Sequence, residues 1–190
     1  MNDISVIIPT YNRRALVVSA LESVFAQTKR VDEVIVVDDG SSDDTEIVLK
    51  QRFGDRIRYL RQANAGVSAA RNRGLAAASG RYLALLDSDD EWMPGKTQRQ
   101  FTWLEANPGF GMSLCDVEMT DCNHENREIM HRRKVIRADG LALSMVAQNP
   151  AFVPSSVMFR REVYEDIGGF DESLPTAEDI DFHLRVARNW

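Results

Sequence analysis

The chain has 190 residues, of which 44% are hydrophobic and 27% are charged, and this composition excludes a disordered chain. Its 23 Lys and Arg residues and 29 Asp and Glu residues give a formal charge of −6 with no basic stripe, so we expect no nucleic-acid partner. A nucleotide ligand is not excluded, because a divalent cation can bridge acidic side chains and phosphates.

Short apolar runs alternate with helix-like segments in the first half of the chain. Residues 4–8, 33–37, 57–60 and 81–86 predict strands, and residues 14–27, 43–53 and 67–78 predict helices. Because these strands show no polar alternation, we expect helices on both of their faces. The alternation of strands and helices predicts an α/β fold, with a doubly wound, mainly parallel sheet flanked by helices.

The second half of the chain follows a looser pattern. Helices are predicted over residues 94–106 and 178–189, and strands over residues 112–119 and 155–159. The polar residues 120–134 predict a hairpin or a mobile loop. No repeat or low-complexity segment occurs, so we expect a single domain over residues 1–190.

No segment has the pattern of a targeting or membrane-spanning sequence. The N-terminus lacks a basic stretch followed by a long apolar run, and the longest apolar runs have the length of strands. The two cysteines, Cys115 and Cys122, predict free thiols and cannot form a disulfide framework. We therefore expect a cytoplasmic protein, with peripheral association at the inner face of a membrane left open.

Two acidic clusters directly follow predicted strands. Asp38 and Asp39 end the second strand, and residues 87–90 (Asp-Ser-Asp-Asp) follow the fourth. Parallel strands end at one edge of a sheet, where open α/β sheets bind ligands, so both clusters should lie on one rim. Such oxygen ligands favour Mg²⁺ or Mn²⁺ together with substrate phosphates. Taken alone, the first cluster also fits a turn with a helix cap, and the second also fits a solvated loop.

Other ligand-binding motifs do not occur in this sequence. There is no GxGxxG motif, and residues 95–97 (Gly-Lys-Thr) resemble the end of a phosphate-binding loop but lack its first glycine. The acidic residues do not have the spacing of a calcium loop. None of His124, His131 and His183 belongs to a zinc motif or a recognisable triad, so we expect ordinary surface or interface histidines.

Five segments in a fixed order resemble a known family. They are residues 6–13 (VIIPTYNR), 34–45 (VIVVDDGSSDDT), 64–74 (NAGVSAARNRG), 86–90 (LDSDD) and 168–182 (GGFDESLPTAEDIDF). In this order they are similar to the inverting, GT-A fold glycosyltransferases of family 2. The resemblance implies a Rossmann-like GT-A fold and transfer of a sugar from a nucleoside diphosphate sugar, most often a UDP-sugar, with Mg²⁺ or Mn²⁺.

The resemblance also implies a set of nucleotide-binding residues. Asp39 would bond the base edge, where the imide N–H of uracil offers a hydrogen-bond donor. Asp38 would be a second contact or a structural residue, and Arg71 would lie near the nucleotide unless it is an ordinary helix-surface arginine. The full set is Pro9, Thr10, Tyr11, Asp38, Asp39, Arg71 and Asp87.

Two further acidic motifs carry the implied metal site and the implied catalysis. Residues 87–89 match the DxD motif of the family, with Asp89 as the metal ligand and Asp87 directed to the ribose or to metal-bound waters. Asp90 could substitute for either. Glu178 and Asp179 match the catalytic acidic pair, and Asp179 would be the general base. Spacing alone would favour a simpler interpretation, in which these acids only stabilise a helix N-terminus.

The resemblance divides the chain into a nucleotide-binding part (residues 1–110) and an acceptor and catalytic part (residues 111–190). It implies a glycan or lipid-linked acceptor, in polysaccharide or cell-surface glycan synthesis. Family members commonly continue beyond the position of Trp190, so we expect a truncated or an unusually short member. Two alternatives stay open: a non-catalytic module that binds a nucleotide-sugar, and a nucleotidyltransferase, whose Gly-rich phosphate loop does not occur here.

Overall fold

A computed structural model describes residues 3–120, the backbone of residues 127–129, and residues 153–190. In these ranges the strands are β1 (Ile4–Thr10), β2 (Glu33–Asp38), β3 (Arg58–Arg61), β4 (Tyr82–Leu85), β5 (Met112–Leu114), β6 (Glu118–Thr120), β7 (Arg127–Ile129) and β8 (Val157–Arg160). The helices are α1 (Arg14–Phe25), α2 (Thr45–Phe53), α3 (Val67–Ala77), α4 (Lys96–Ala106), α5 (Arg161–Ile167) and α6 (Glu178–Asn189). Short 3₁₀ turns occupy Gly54–Arg56 and Pro154–Ser156.

The main sheet has the strand order β3-β2-β1-β4-β8-β5. The strands β3, β2, β1 and β4 are parallel, and β8 and β5 join antiparallel to them at one side. The strands β2 and β3 are added on one side of β1, and β4 is added on its other side. The order of the strands therefore reverses between β1 and β4, which is the point where doubly wound sheets open a ligand crevice. The predicted fold class, a mainly parallel α/β sheet, is confirmed.

The core lies on both faces of this sheet. On one face, Val6 and Ile8 of β1 pack in a cluster with Leu21 of α1, which also includes buried residues of α2 and α4. On the other face, Ile7 packs in a cluster with Phe182 of α6, which also includes residues of α3 and α5. Each fully buried aliphatic side chain contributes about 1.5–3 kcal/mol, so burial on both faces stabilises strands that have no polar side. The expected two-sided cover is confirmed.

Two elements of the second half differ from the prediction. Residues 112–119 were predicted as one strand, but they form β5, which pairs with β8, and β6, which pairs with β7 in a separate two-stranded sheet. The single-strand prediction was wrong because the sequence of this segment does not show that its two ends pair with different partners. The helix α5 was not predicted, since its seven residues include one fully buried apolar side chain, Val163.

Residues 120–134 fall mostly outside the described part of the chain. The described portion, β7, pairs antiparallel with β6, in agreement with the hairpin interpretation. In the part of the chain that is described, no helix is long and apolar enough to cross a bilayer.

Close packing at Gly80 leads to a prediction on stability. A Cβ atom at Gly80 would lie 2.6 Å from the backbone nitrogen of Ser5, which is held within β1. We expect Gly80→Ala to lower the free energy of unfolding by about 1–3 kcal/mol, because this main chain cannot move aside. Urea unfolding measures the change. Gly109→Ala is the matched control, since a Cβ there would meet nothing within 4 Å, and equal stability of the two variants would contradict the prediction.

Candidate functional site

The carboxyl ends of β1, β2 and β4 meet at one rim of the sheet. Thr10 of β1 lies opposite Asp38 of β2 in the parallel register. Beside β1 on its other side, the Leu86 N–H donates to the Ile7 carbonyl at 3.0 Å, immediately before Asp87. Because β8 is antiparallel, its first residues reach the same rim. The two acidic clusters therefore follow strands that flank β1, as expected.

Asp38 is fully buried and holds the turn that follows β2. Its Oδ1 accepts a hydrogen bond from the Ser41 N–H at 2.7 Å, and its Oδ2 accepts one from the hydroxyl of Tyr59. Burial and this hydrogen bond raise the pKa of Tyr59, so the phenol stays protonated and remains a donor. With both oxygens engaged inside the protein, Asp38 has the surroundings of a structural residue.

Asp39 organises a loop that approaches the rim from β3. Its Oδ1 accepts hydrogen bonds from Gln62 Nε2 at 2.8 Å and from the Ala65 N–H at 2.9 Å. Its Oδ2 accepts one from the Gly66 N–H at 2.8 Å, and Gly66 has the positive φ of 92° that glycine tolerates. A carboxylate has about four acceptor positions, so one remains for a ligand.

Asn12 ties the loop after β1 to the loop after β2. Its side-chain Oδ1 accepts a hydrogen bond from the Ser42 N–H at 2.8 Å, and its backbone N–H donates to Ser41 Oγ at 2.9 Å. It adopts φ 51°, a left-handed conformation that asparagine tolerates. The neighbouring Tyr11 is 47% exposed. Of the three residues predicted to line the nucleoside pocket, Tyr11 faces solvent, whereas Pro9 and Thr10 are buried in β1.

Ser155, from the turn before β8, braces the acidic loop after β4. Its Oγ donates to Asp90 Oδ2 at 2.6 Å and accepts from the Asp87 N–H at 3.0 Å. Burial raises the pKa of Asp90, and the charges of Asp87 and Asp89 act in the same direction. Asp89 instead has a side chain that is 43% exposed and pairs with Arg13 at 2.8 Å. Asp89 is therefore the more accessible of the two carboxylates.

Arg71 connects the acidic loop to the start of α6. Its Nη2 donates to Asp87 Oδ1 and its Nη1 donates to Glu178 Oε1, both at 2.8 Å. The side chain is 4% exposed, so Arg71 is not a helix-surface arginine. Burial opposes its charge, but the ion pairs with Asp87 and Glu178 hold the pKa of Arg71 above its ordinary value. The structure thus joins two motifs that are 91 positions apart in the chain, through a residue of α3.

Asp179, next to Glu178 in the first turn of α6, is half-buried. Its Oδ1 accepts a hydrogen bond from the Ile180 N–H at 2.8 Å. Burial raises the pKa of Asp179, and the carboxylate of Glu178 acts in the same direction. Ala177, just before the helix, has φ 64°, a conformation that is uncommon for residues other than glycine. The candidate acid pair thus follows a residue with an unfavourable backbone conformation, which contacts in the surrounding structure must stabilise.

Two other predictions concern residues near the site. His183, one turn after Asp179, is 1% exposed, so the expectation of a surface or interface histidine was wrong for this residue. Burial lowers the pKa of His183 to about 4, and the positive charge of Arg71 lowers it further in the same direction. His124 and His131 lie outside the described residues.

Lys96 and Thr97 are buried at the start of α4, with Lys96 Nζ 4.1 Å from the centre of the Trp92 ring, in agreement with the rejection of a phosphate-binding loop here.

A divalent cation fits the acidic loop by the chemistry of its ligands. Among the described side chains, no three acidic, histidine or cysteine residues form a ready-made cage. Mg²⁺ usually takes only one or two protein carboxylates and completes its coordination with water and phosphates. Asp87 and Asp89 supply oxygen ligands of this kind, and Asp89 is open to solvent.

Sequence reasoning missed three residues that shape the site: Asn12, Ser155 and Asn72. Each acts through hydrogen bonds to residues at least 29 positions away in the chain. Asn12 and Asn72 lie inside the segments that carried the family resemblance, which was the available signal for them. Ser155 lies at the start of a predicted strand and had no comparable signal.

The fold and the rim define a doubly wound α/β protein, with its acidic residues gathered where the parallel strands end, the edge at which such sheets bind ligands. Residues 5–168 match the family described as "Glycosyl transferase family 2". The chain therefore belongs to this family, and the family resemblance is confirmed; the match ends before Glu178 and Asp179.

Curated relatives agree with this assignment. An uncharacterised glycosyltransferase of Rickettsia bellii is 30% identical over 188 residues, which cover 97% of this chain and 27% of that protein. The succinoglycan biosynthesis protein ExoO of Rhizobium meliloti is 32% identical over 161 residues, covering 84% of this chain and 44% of that protein. The chain thus spans less than half the length of either relative.

Solved structures share the fold. S. aureus TarS 1-349 in complex with UDP-GlcNAc has a TM-score of 0.74 and 25% identity, covering 97% of this chain and 53% of that one. The mannosyltransferase PcManGT from Pyrobaculum calidifontis, in complex with GDP-Man and Mn²⁺, has a TM-score of 0.65 and 25% identity, covering 92% of this chain and 50% of that one. The GT-A prediction is confirmed by these similarities.

Proposed function

We propose that this chain transfers a sugar from a UDP-sugar to an acceptor hydroxyl, with inversion at the anomeric carbon. The observation that carries the proposal is the contact of Arg71 with both Asp87 and Glu178, at 2.8 Å each. This contact supports it because the loop that would face the diphosphate then adjoins the acid pair that would face the acceptor. Similar proteins solved with UDP-GlcNAc and with GDP-Man support a nucleotide-sugar donor.

The nucleotide would bind across the loops that follow β1 and β2. Tyr11 offers an exposed ring, and the remaining acceptor position of Asp39 suits the imide N–H of uracil. Pro9 and Thr10 would support the pocket from within β1. Asp38 would act indirectly, since it holds the turn after β2.

Asp89 and Asp87 would hold Mg²⁺ or Mn²⁺ together with the diphosphate. When bound, the cation would neutralise the charge that develops on the leaving group. Asp90 would remain inside the loop, where Ser155 binds it.

Asp179 would be the general base. Glu178 is engaged by Arg71, whereas only Oδ1 of Asp179 has a hydrogen bond within the described residues, which leaves Oδ2 for the acceptor. A carboxylate with a raised pKa takes up a proton more readily than an exposed one. The proton of the acceptor hydroxyl would pass to Asp179 as the new C–O bond forms and the bond to the diphosphate breaks. This single displacement forms no sugar–enzyme intermediate.

In this proposal one domain contains both sides of the site. Residues 1–110 would bind the donor, and residues 111–190 would supply the base and part of the acceptor side. The similarity to ExoO, a succinoglycan biosynthesis protein, supports a role in polysaccharide synthesis, in which the acceptor would be a glycan or a lipid-linked molecule. Such a reaction would take place in the cytoplasm or at the inner face of a membrane.

Donor binding can be tested by thermal unfolding with Mn²⁺ and a panel that contains UDP-GlcNAc, UDP-glucose, UDP-galactose and GDP-mannose. A nucleotide-sugar at 100 times its Kd should raise the melting temperature by about 5–10 °C for a chain of this size. Mn²⁺ alone, and the same panel in EDTA, are the controls. If no nucleotide-sugar shifts the melting temperature, the proposed function is refuted.

Catalysis is tested on the donor that binds, by release of UDP and by NMR of the anomeric product. Inversion supports a single displacement, and retention would exclude it. Binding without any UDP release would favour the non-catalytic module. Pyrophosphate release from a nucleoside triphosphate would favour a nucleotidyltransferase.

A further inference from the structure

Two neighbouring residues of α3 hold the segment that leads into α6. Arg71 Nη1 donates to Glu178 Oε1 at 2.8 Å. Asn72 Nδ2 donates to the Phe170 carbonyl at 2.9 Å, and Asn72 Oδ1 accepts from the Phe170 N–H at 2.7 Å. A Cβ atom at Gly169 would lie 2.1 Å from Asn72 Oδ1, so a larger residue there would displace the Asn72 side chain from this position. The segment before α6 is thus fixed against α3 at two points.

The guanidinium of Arg71 has both terminal nitrogens engaged. Besides Glu178, it binds Asp87 Oδ1 at 2.8 Å, and its Cζ lies 5.1 Å from the centre of the Phe170 ring. The planar fork of a guanidinium suits two carboxylates in fixed directions. Each terminal nitrogen has a second N–H, but the side chain is only 4% exposed, so little of the guanidinium is open to a ligand.

The start of α6 is bound by this contact. Glu178 is the first residue of the helix, and the preceding Ala177 has φ 64°, which local backbone preference disfavours. The Arg71 ion pair therefore supplies tertiary support at the residue next to Asp179.

We propose that Arg71 is a positioning residue, which orients Asp179 by holding Glu178 against Asp87. The inference rests on the proposed function and assigns Glu178 the role of an anchor rather than of a base. It also explains how the donor side and the acceptor side keep a fixed distance, since one side chain binds a carboxylate from each.

The first test separates binding from turnover. Arg71→Gln should lower kcat for UDP release from UDP-GlcNAc by about 100-fold, the effect of a displacement of about 1 Å at a reacting group. The Kd for UDP with Mn²⁺ should rise by less than about tenfold, a change of under about 1.4 kcal/mol. Arg71→Lys, which keeps the charge but not the fork, should recover part of kcat. The control is Arg73→Gln, an exposed arginine of the same helix that contacts only the Arg61 carbonyl among the described hydrogen bonds.

A double-mutant cycle tests whether Arg71 acts through Glu178. If it does, Arg71→Gln combined with Glu178→Gln should lower kcat little more than either substitution alone. Additive losses would overturn the positioning role. A Kd for UDP that rises about tenfold or more, with kcat unchanged, would also overturn it and mark Arg71 as a nucleotide contact.

Hydrogen exchange keeps this inference separate from the proposed function. If the wild type releases no UDP from any donor, the proposed function fails. The role of the ion pair is then tested by hydrogen exchange at the backbone amides of residues 178–183. Arg71→Gln should accelerate their exchange by about tenfold or more, relative to Arg73→Gln. Equal exchange in the two variants would refute the support of α6 by Arg71.

Discussion

Asp179→Asn is expected to slow sugar transfer by about 100- to 10,000-fold, the usual contribution of a well-placed general base. The amide keeps the size of the carboxyl group and can still accept the hydrogen bond from the Ile180 N–H, which lies at 2.8 Å. It cannot take a proton from the acceptor hydroxyl. The Kd for UDP, measured by calorimetry beside the transfer rate, should not change, because the nucleotide would bind at the loops after β1 and β2.

This loss of activity should not reflect unfolding. Burial raises the pKa of Asp179, so the native state binds its proton more tightly than the unfolded chain does. Stability therefore falls as pH rises through the interval between the unfolded and the folded pKa, and the ionised carboxylate remains a cost at neutral pH. Asparagine removes this cost, and the variant should melt at the same temperature as the wild type or higher.

The pH dependence of turnover provides an independent check. A base must be deprotonated, so kcat should fall as pH drops through the pKa of Asp179, which lies above the ordinary aspartate value of about 3.9. The control is Asp181→Asn, on the same helix, whose carboxylate pairs with Arg185 at 2.8 Å. If the Asp179 variant turned over at the wild-type rate, the assignment of Asp179 as the base would be wrong, and Glu178 would become the candidate base.

Most of the fold could be predicted because its physical cause is local. The central strands are buried on both faces, so residues such as Ile7 and Ile35 stand in runs with no polar alternation, and the helices between them follow at regular intervals. The errors arose where pairing decides the structure. Met112 and Met119 lie in one predicted strand, but they belong to strands of different sheets.

The site could be predicted only in part, for a similar reason. The acidic residues at the ends of β2 and β4 follow from the rule on where parallel strands end, and the family resemblance added Asp179. The contacts that hold these residues are long-range: Arg71 reaches Glu178 over 107 positions, and Ser155 reaches Asp90 over 65. No spacing rule in a single sequence connects such pairs, because they meet only after the sheet has formed.

Asp89→Ala is expected to abolish the part of UDP affinity that depends on metal. In the wild type, Mn²⁺ should tighten UDP binding by at least about tenfold, which corresponds to about 1.4 kcal/mol. Without Asp89, the acidic loop loses its exposed carboxylate, and the carboxylate of Asp90 is held inside the loop by the 2.6 Å hydrogen bond from Ser155. UDP titrations with Mn²⁺ and with EDTA should therefore give the same Kd for the variant.

The control for this variant is Asp44→Ala, because the two acids have similar surroundings. Asp89 pairs with Arg13 at 2.8 Å and Asp44 pairs with Arg14 at 3.3 Å, all with side chains that are 43–66% exposed. Exposed pairs of this kind contribute about 0–1 kcal/mol, so neither substitution should alter the melting temperature of the free protein by more than a few degrees. Only Asp89 follows β4 at the rim, and only its loss should remove the effect of Mn²⁺. If the Asp89 variant still binds UDP more tightly with Mn²⁺ than with EDTA, Asp87 or Asp90 holds the cation and the assignment of Asp89 is wrong.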